Sequence, residues 1–178
     1  MAITDHETME AAFGLRRLRP LEVIAGQEIS TEQGELIGLF LESPVIRGLP
    51  CEVAAAAIKA QGGLVYLEHP YDTSRRSMQE EAIERLAEVI DIVEVFNARS
   101  TQEANRKAED LCAILDAAPG AGSDAHTLGE IGSVYIEMEA FSTPQDFVAK
   151  LHRGTIVRAP NRFRMRLGAA LRRRTRRR

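Results

Sequence analysis

Short apolar runs alternate with longer amphipathic ones along this chain. Residues 21–24 form a brief apolar run. Residues 35–41 form a stronger one, apolar at Leu36, Ile37, Leu39, Phe40 and Leu41, which predicts a strand covered on both faces. Residues 64–67, 92–96 and 133–138 repeat the strand pattern. Residues 2–4 and 155–157 read as shorter strands at the two ends. Between them lie helical stretches. Residues 7–18 carry acids first and bases last, in line with the helix dipole, and Pro20 stops them. Residues 51–60 are rich in alanine and end at Gly62-Gly63. Residues 78–89 place Ile83, Leu86 and Ala87 on one face, with Ile90 just beyond. Residues 101–115 start at a capping Thr101, and residues 144–151 open at Ser142 or Thr143.

Strand and helix alternating through short connections predict an α/β fold with a largely parallel sheet. Polar groups then collect where predicted strands end: Asp5-His6, Glu28, Glu68-His69, Asn97 with Arg99, and Asp124 with His126. In parallel α/β folds that end of the sheet carries the active site. Asp124 and His126 are two residues apart, so an extended backbone aims both side chains to one side. A carboxylate and an imidazole facing one point make half of a transition-metal site.

Composition narrows the classes. The 178 residues are 44% hydrophobic and 28% charged, ordinary for one globular domain with a sizeable core. No apolar run reaches the roughly 20 residues that span a membrane. No basic region followed by an apolar core marks a secretory signal. The two cysteines, Cys51 and Cys112, lie far apart in helical stretches, which predicts buried thiols and a reducing, cytoplasmic setting. The net charge of −3 hides an asymmetry. Nine arginines and no acid fall in residues 162–178, leaving 14 basic against 26 acidic residues upstream. The expected organisation is a domain over 1–160 and a basic, disordered tail over 161–178. Such a tail contacts nucleic acid without sequence preference or simply stays solvated.

Taken in order, several segments resemble the PHP (polymerase and histidinol phosphatase) family. They are Ala2-Ile3-Thr4-Asp5-His6, Gly26-Gln27-Glu28-Ile29-Ser30-Thr31, residues 34–40, residues 62–72 with His69-Pro70, Glu94-Val95-Phe96-Asn97-Ala98-Arg99, residues 122–126 and Glu130-Ile131-Gly132. The resemblance implies a distorted (β/α)7 barrel with two or three divalent ions at the C-terminal rim. It implies a metal-dependent phosphoesterase, acting on phosphomonoesters or phosphodiesters such as nucleotides or short RNA. By residue, it implies metal ligands at His6, Glu28, His69, Asp124 and His126. It implies Asp5 as a group orienting an imidazole, and His69 or Asp124 as a group able to manage protons. Arg75 and Arg99 are candidate phosphate clamps, since a guanidinium matches phosphate oxygens in pairs.

This chain departs from the family pattern at its start. The family opens with a strand carrying His-x-His, and Met1 lies where the second strand is already under way. The expectation is therefore a barrel truncated by about one β/α unit, with fewer metal ligands than an intact site. Mixed imidazole and carboxylate donors suit Zn, Mn or Fe. The partners expected are a phosphorylated small molecule or a short nucleic acid. The alternative is a catalytically impaired PHP-like module with an RNA-binding or structural role.

Overall fold

The computed structural model describes residues 1–18 and 22–158. The basic tail expected over 161–178, and the domain boundary at 160, lie outside the described residues. In chain order the elements are β1 (Ala2–Ile3), α1 (Glu10–Arg16), β2 (Ile24–Ser30), β3 (Glu35–Leu39), α2 (Cys51–Ala60), β4 (Leu64–Leu67) and α3 (Glu80–Leu86). They continue with β5 (Ile90–Asn97), α4 (Gln102–Leu115), β6 (Ala118–Gly122), β7 (Val134–Glu137), α5 (Pro144–Leu151) and β8 (Thr155–Arg158). The first six strands form one sheet in sequence order, curled into a half-barrel, and β7 and β8 form a separate antiparallel ribbon.

The sheet is mixed, which corrects the expectation of a largely parallel one. Pairs β1–β2, β4–β5 and β5–β6 are parallel, whereas β3 runs antiparallel to both β2 and β4. The cause is a tight hairpin where the alternation reading expects a crossover. Both the backbone N–H and the hydroxyl of Thr31 donate to the Gly34 carbonyl at 2.7 Å. Gly34 has φ +143°, and a Cβ there would collide with the Met78 backbone, so the turn needs glycine. The described residues thus form a half-barrel containing a hairpin, not an unbroken succession of β/α units.

The helices form where the amphipathic stretches predict them, with shorter ends for α1 and α3. Thr101 accepts from Ala104 N and caps α4, and Thr143 accepts from Asp146 N and caps α5. Helices α1 to α4 cover one face of the sheet. There Ala12, Ala54, Ile58, Ile83, Leu86 and Leu111 pack on Ala25, Leu36, Val65, Leu67, Val93 and Val95. Each large aliphatic side chain buried there contributes roughly 1.5–3 kcal/mol. Both cysteines are buried and free. No described helix is long and apolar enough to cross a membrane.

The inner face is built differently. Ile24, Ile37, Leu39, Leu64, Tyr66, Ile92 and Ala118 form a smaller layer, closed by Leu151, Phe147 and Val148 of α5. Strand side chains alternate with a period of two. The positions that continue this inner layer toward one end of the sheet are Glu28, Glu35, Glu68 and Glu94. Because β3 runs antiparallel, its first residue reaches the same end as the last residues of its neighbours. Four acids therefore share one face and one end of the half-barrel.

Candidate metal centre

Glu28, Glu68 and His69 each present a ligating atom, and the three atoms lie within 4.8 Å of one another. His6, Glu28 and Glu35 form a second such triad that shares Glu28. The side chains of Glu68 and His69 keep only 4% and 3% of their surface in solvent, and Glu28 keeps 12%. Within this shielded space the polar atoms are under-satisfied. Glu68 Oε1 and His69 Nδ1 have no hydrogen-bond partner, and Glu28 Oε1 lies 2.9 Å from His6 Nδ1 without an aligned hydrogen bond. Buried polar atoms are normally paired, because leaving one unpaired costs about 1–3 kcal/mol.

Electrostatics follow from this crowding. Burial, then the charges of Glu35 and Asp124, pushes the Glu28 carboxyl up to about 7. Burial, then Glu28 and Glu94, holds Glu68 well above the usual carboxylate range. Burial, then the Arg75 charge, pulls His69 down and favours the neutral imidazole that can coordinate a cation. Acids packed this closely without a counter-charge oppose folding, and a divalent cation would relieve them.

His69 is held in a backbone conformation it would not choose. Its φ is +29°, and its ring turns back so that Nε2 lies 3.5 Å from Glu68 Oε2. The Glu94 carboxylate fixes this geometry. Oε2 accepts from His69 N at 3.0 Å and from Asn97 Nδ2 at 3.0 Å, and Oε1 accepts from the Tyr66 hydroxyl at 3.1 Å. Burial raises the Glu94 carboxyl, while Asn97, His69 and Tyr66 work against that rise. Strand β6 makes room by being small. A Cβ at Gly122 would lie 2.6 Å from Glu94 Oε1, and one at Gly120 would lie 2.5 Å from the Tyr66 ring.

The opposite wall is more open. Asp124 has φ +44°, so the Asp-x-His segment is not extended and the two side chains do not simply align. Asp124 Oδ2 accepts from Arg75 Nη2 at 2.6 Å and from Asn97 Nδ2 at 3.3 Å, and Arg99 Nε stands 4.0 Å away. His126 leaves 48% of its side chain exposed, with Nδ1 3.0 Å from the Asp124 carbonyl oxygen. Its ring centroid is 6.4 Å from that of His6, whose side chain is 57% exposed. Glu130 pins this loop by accepting from His126 N and Thr127 N, and it pairs with Arg99 at 3.5 Å. Asp5 is exposed and meets the site through its carbonyl oxygen, which accepts from Glu28 N at 3.1 Å.

The comparisons with known proteins bear on the fold. Residues 102–156 match a family profile described as PHP-associated. PsfC from Pseudomonas syringae superposes with a TM-score of 0.66 at 16% identity, over 98% of this chain and 82% of that one. A two-domain protein from Bacteroides vulgatus, containing a predicted PHP-like metal-dependent phosphoesterase, superposes with a TM-score of 0.65 at 15% identity. That match covers 88% of this chain and 55% of the other. Residues 102–156 thus carry a PHP-associated segment, and the half-barrel shares its fold with PHP-like proteins. Two uncharacterised proteins of Methanocaldococcus jannaschii are also similar, 37% identical over 136 residues and 39% identical over 102 residues. The two matches cover 71% and 55% of this chain, which spans 56% and 57% of those relatives' lengths.

Within the half-barrel, His6, Glu28, His69, Asp124 and His126 all face one region, with Arg75 and Arg99 beside Asp124. Three acids join them that the sequence reading does not assign as site residues: Glu35, Glu68, noted there only as a polar group at a strand end, and Glu94. Each carries a signal. Glu68 directly follows the apolar run 64–67, and Glu94 interrupts the run 92–96, where a lone acid needs a partner. Glu35 opens its strand opposite Ser30, and its place is visible only with the hairpin. A separate groove, lined by Lys59, Gly63, Leu64, Asp91, Gln145 and Val148, lies at the other end of β4 and β5.

Proposed function

We propose that this chain is a metal-dependent phosphoesterase that hydrolyses phosphomonoester or phosphodiester bonds. The observation that carries the proposal is the Glu28, Glu68 and His69 triad, three shielded ligating groups within 4.8 Å that leave Glu68 Oε1 and His69 Nδ1 unpaired. The residues fit a divalent ion on their own chemistry. The donors are carboxylate oxygens and a neutral imidazole, and the shared Glu28 allows two neighbouring sites. Such a donor set suits Zn, Mn or Fe. A bound ion would supply Lewis-acid polarisation of a phosphoryl oxygen and would acidify a water molecule.

The remaining roles belong to the chain itself. Glu28, Glu68 and His69 hold one position, with His6 and Glu35 beside it. Glu94 orients His69 through the backbone. Arg75 and Arg99 stand at the open wall, where their guanidinium groups can neutralise phosphate oxygens. Asp124 keeps both cations turned into the site until an anion competes for them. His126, on a solvent-facing loop, is placed to move a proton at the mouth. Nucleotides and short nucleic acids are the substrates this open rim admits most readily, since their chains can extend into solvent.

The test pairs bound-metal content with turnover of an aryl phosphate, a nucleoside monophosphate and a short RNA. The full chain is stripped of metal and then reloaded with Mn or Zn. Saturable metal uptake with metal-dependent release of phosphate or nucleotide supports the proposal. Salt-sensitive RNA binding without turnover in any metal would instead support the impaired, RNA-binding module.

A further inference from the structure

Two loops carry the arginines of the open wall, and a buried acid joins them. Arg75 lies between β4 and α3, and Arg99 lies between β5 and α4. Asp72, 6% exposed, sits in the first loop. Its Oδ1 accepts from Ser74 N at 3.0 Å and from Ser74 Oγ at 2.6 Å. Its Oδ2 accepts from Ser100 Oγ of the second loop at 2.7 Å. Backbone bonds complete the frame. Asp72 N donates to His69 O, Arg75 N donates to Asp72 O, and Ser77 Oγ bridges both carbonyls at 2.6 and 2.9 Å.

We infer that the Asp72 carboxylate and the Ser100 hydroxyl are positioning groups that set the spacing of Arg75 and Arg99, and so the affinity of the open wall for a phosphate group. This inference rests on the phosphoesterase reading. The geometry is specific. Both guanidinium groups converge on the same oxygen, Asp124 Oδ2, at 2.6 and 4.0 Å. Ser100 is the residue next to Arg99, and Arg75 N is bonded to Asp72 itself. The Asp72–Ser100 bond is a side-chain tie between the loops close to both cations. Burial alone would raise the Asp72 carboxyl, yet the hydrogen bonds from Ser74 and Ser100 bring it below its ordinary value. It is therefore a charged acceptor, which makes the tie a strong one. A bidentate clamp loses much of its value when its two cations drift apart.

The probe is inorganic phosphate as a competitive inhibitor of the metal-loaded full chain. Ser100 is partly exposed on a loop, so Ser100→Ala leaves the core intact. The expected result is a weakening of phosphate affinity by roughly tenfold, with metal affinity unchanged and only a modest fall in thermal midpoint from the unpaired Asp72 oxygen. Ser100→Thr, which keeps the hydroxyl, restores affinity. In an Arg99→Ala background, Ser100→Ala has no further effect, because the hydroxyl acts through that arginine. A Ser100→Ala chain that binds phosphate as the native chain does overturns the inference while leaving the phosphoesterase reading intact. Equal losses with and without Arg99 also overturn it. A native metal-loaded chain that neither binds phosphate nor turns over substrate overturns the reading and the inference together.

Discussion

The two walls of the candidate site differ in almost every physical respect. The wall from β2, β4 and β5 is shielded, crowded with acids and fixed by hydrogen bonds to the backbone. Glu94 alone ties Tyr66, His69 and Asn97 together. The wall from the β1 end and the loop after β6 is open. Its histidines are about half exposed, and its acid is already engaged by cations. The difference teaches where rigidity is needed. A cation site requires fixed donors in a dry setting, whereas a phosphate-bearing substrate must enter and leave. On the proposed reading, the fold meets both needs by burying one half of the rim beneath its strands and leaving the other half on loops.

The sharpest way to break this comparison is to remove one imidazole from each wall. His69→Ala is expected to abolish metal uptake and reduce turnover by about 100-fold or more, whereas His126→Ala should reduce turnover by about tenfold and keep the metal. Metal analysis alongside kcat/KM checks both. Equal effects would erase the distinction between a fixed and an open wall.

Next in size is the effect of space. Gly122→Ala places a methyl against the Glu94 carboxylate and should destabilise the chain by about 1–3 kcal/mol, read from urea unfolding. It should weaken metal binding as well, because Glu94 holds His69. A loss of stability without a loss of metal would mean that Glu94 does not position the imidazole.

A third variant sharpens the idea that crowded acids await a cation. Glu68→Gln replaces an acid whose ionisation is penalised by burial and neighbouring acids, and should stabilise the metal-free chain by about 1–2 kcal/mol while weakening metal binding. Lower stability in the metal-free variant would argue that Glu68 serves the fold rather than a cation.

Legibility in the sequence followed the same division. The shielded wall announced itself only in part: the apolar run 64–67 ends at Glu68-His69, whereas Glu94, inside the run 92–96, was read as strand. Helices α2, α4 and α5 were readable because alanine content, Thr101 and Thr143 give local signals that packing does not override. The hairpin was not readable as such. Only Gly34 marks its turn, and the requirement for glycine comes from Met78, far along the sequence. The left-handed turns at His69 and Asp124 were equally hidden, since φ at a non-glycine position depends on what the fold imposes. The Asp-x-His spacing therefore pointed to this rim through a geometry that the chain does not adopt.

The smallest effect lies away from both walls and serves as a control. The Arg85 hydrogen bond, helped by backbone and Cys51 contacts, holds the exposed Glu52 carboxyl down at about 2, from an ordinary 4.5. A lowered carboxylate pKa stabilises the folded chain above the ordinary value, and that contribution fades as pH falls from 4.5 toward 2. Native and Glu52→Gln chains should therefore differ slightly at neutral pH and converge in acid, as read from unfolding midpoints across pH. Metal uptake should be the same in both.

The measurement closest to the central claim is a calorimetric titration of Mn or Zn into the metal-stripped full chain, beside a Glu28→Gln, Glu68→Gln double variant. The account predicts saturable binding and a raised thermal midpoint for the native chain, with both lost in the variant. A native chain that takes up no divalent ion, or a variant that takes it up equally well, would contradict the assignment of this cluster as a metal centre.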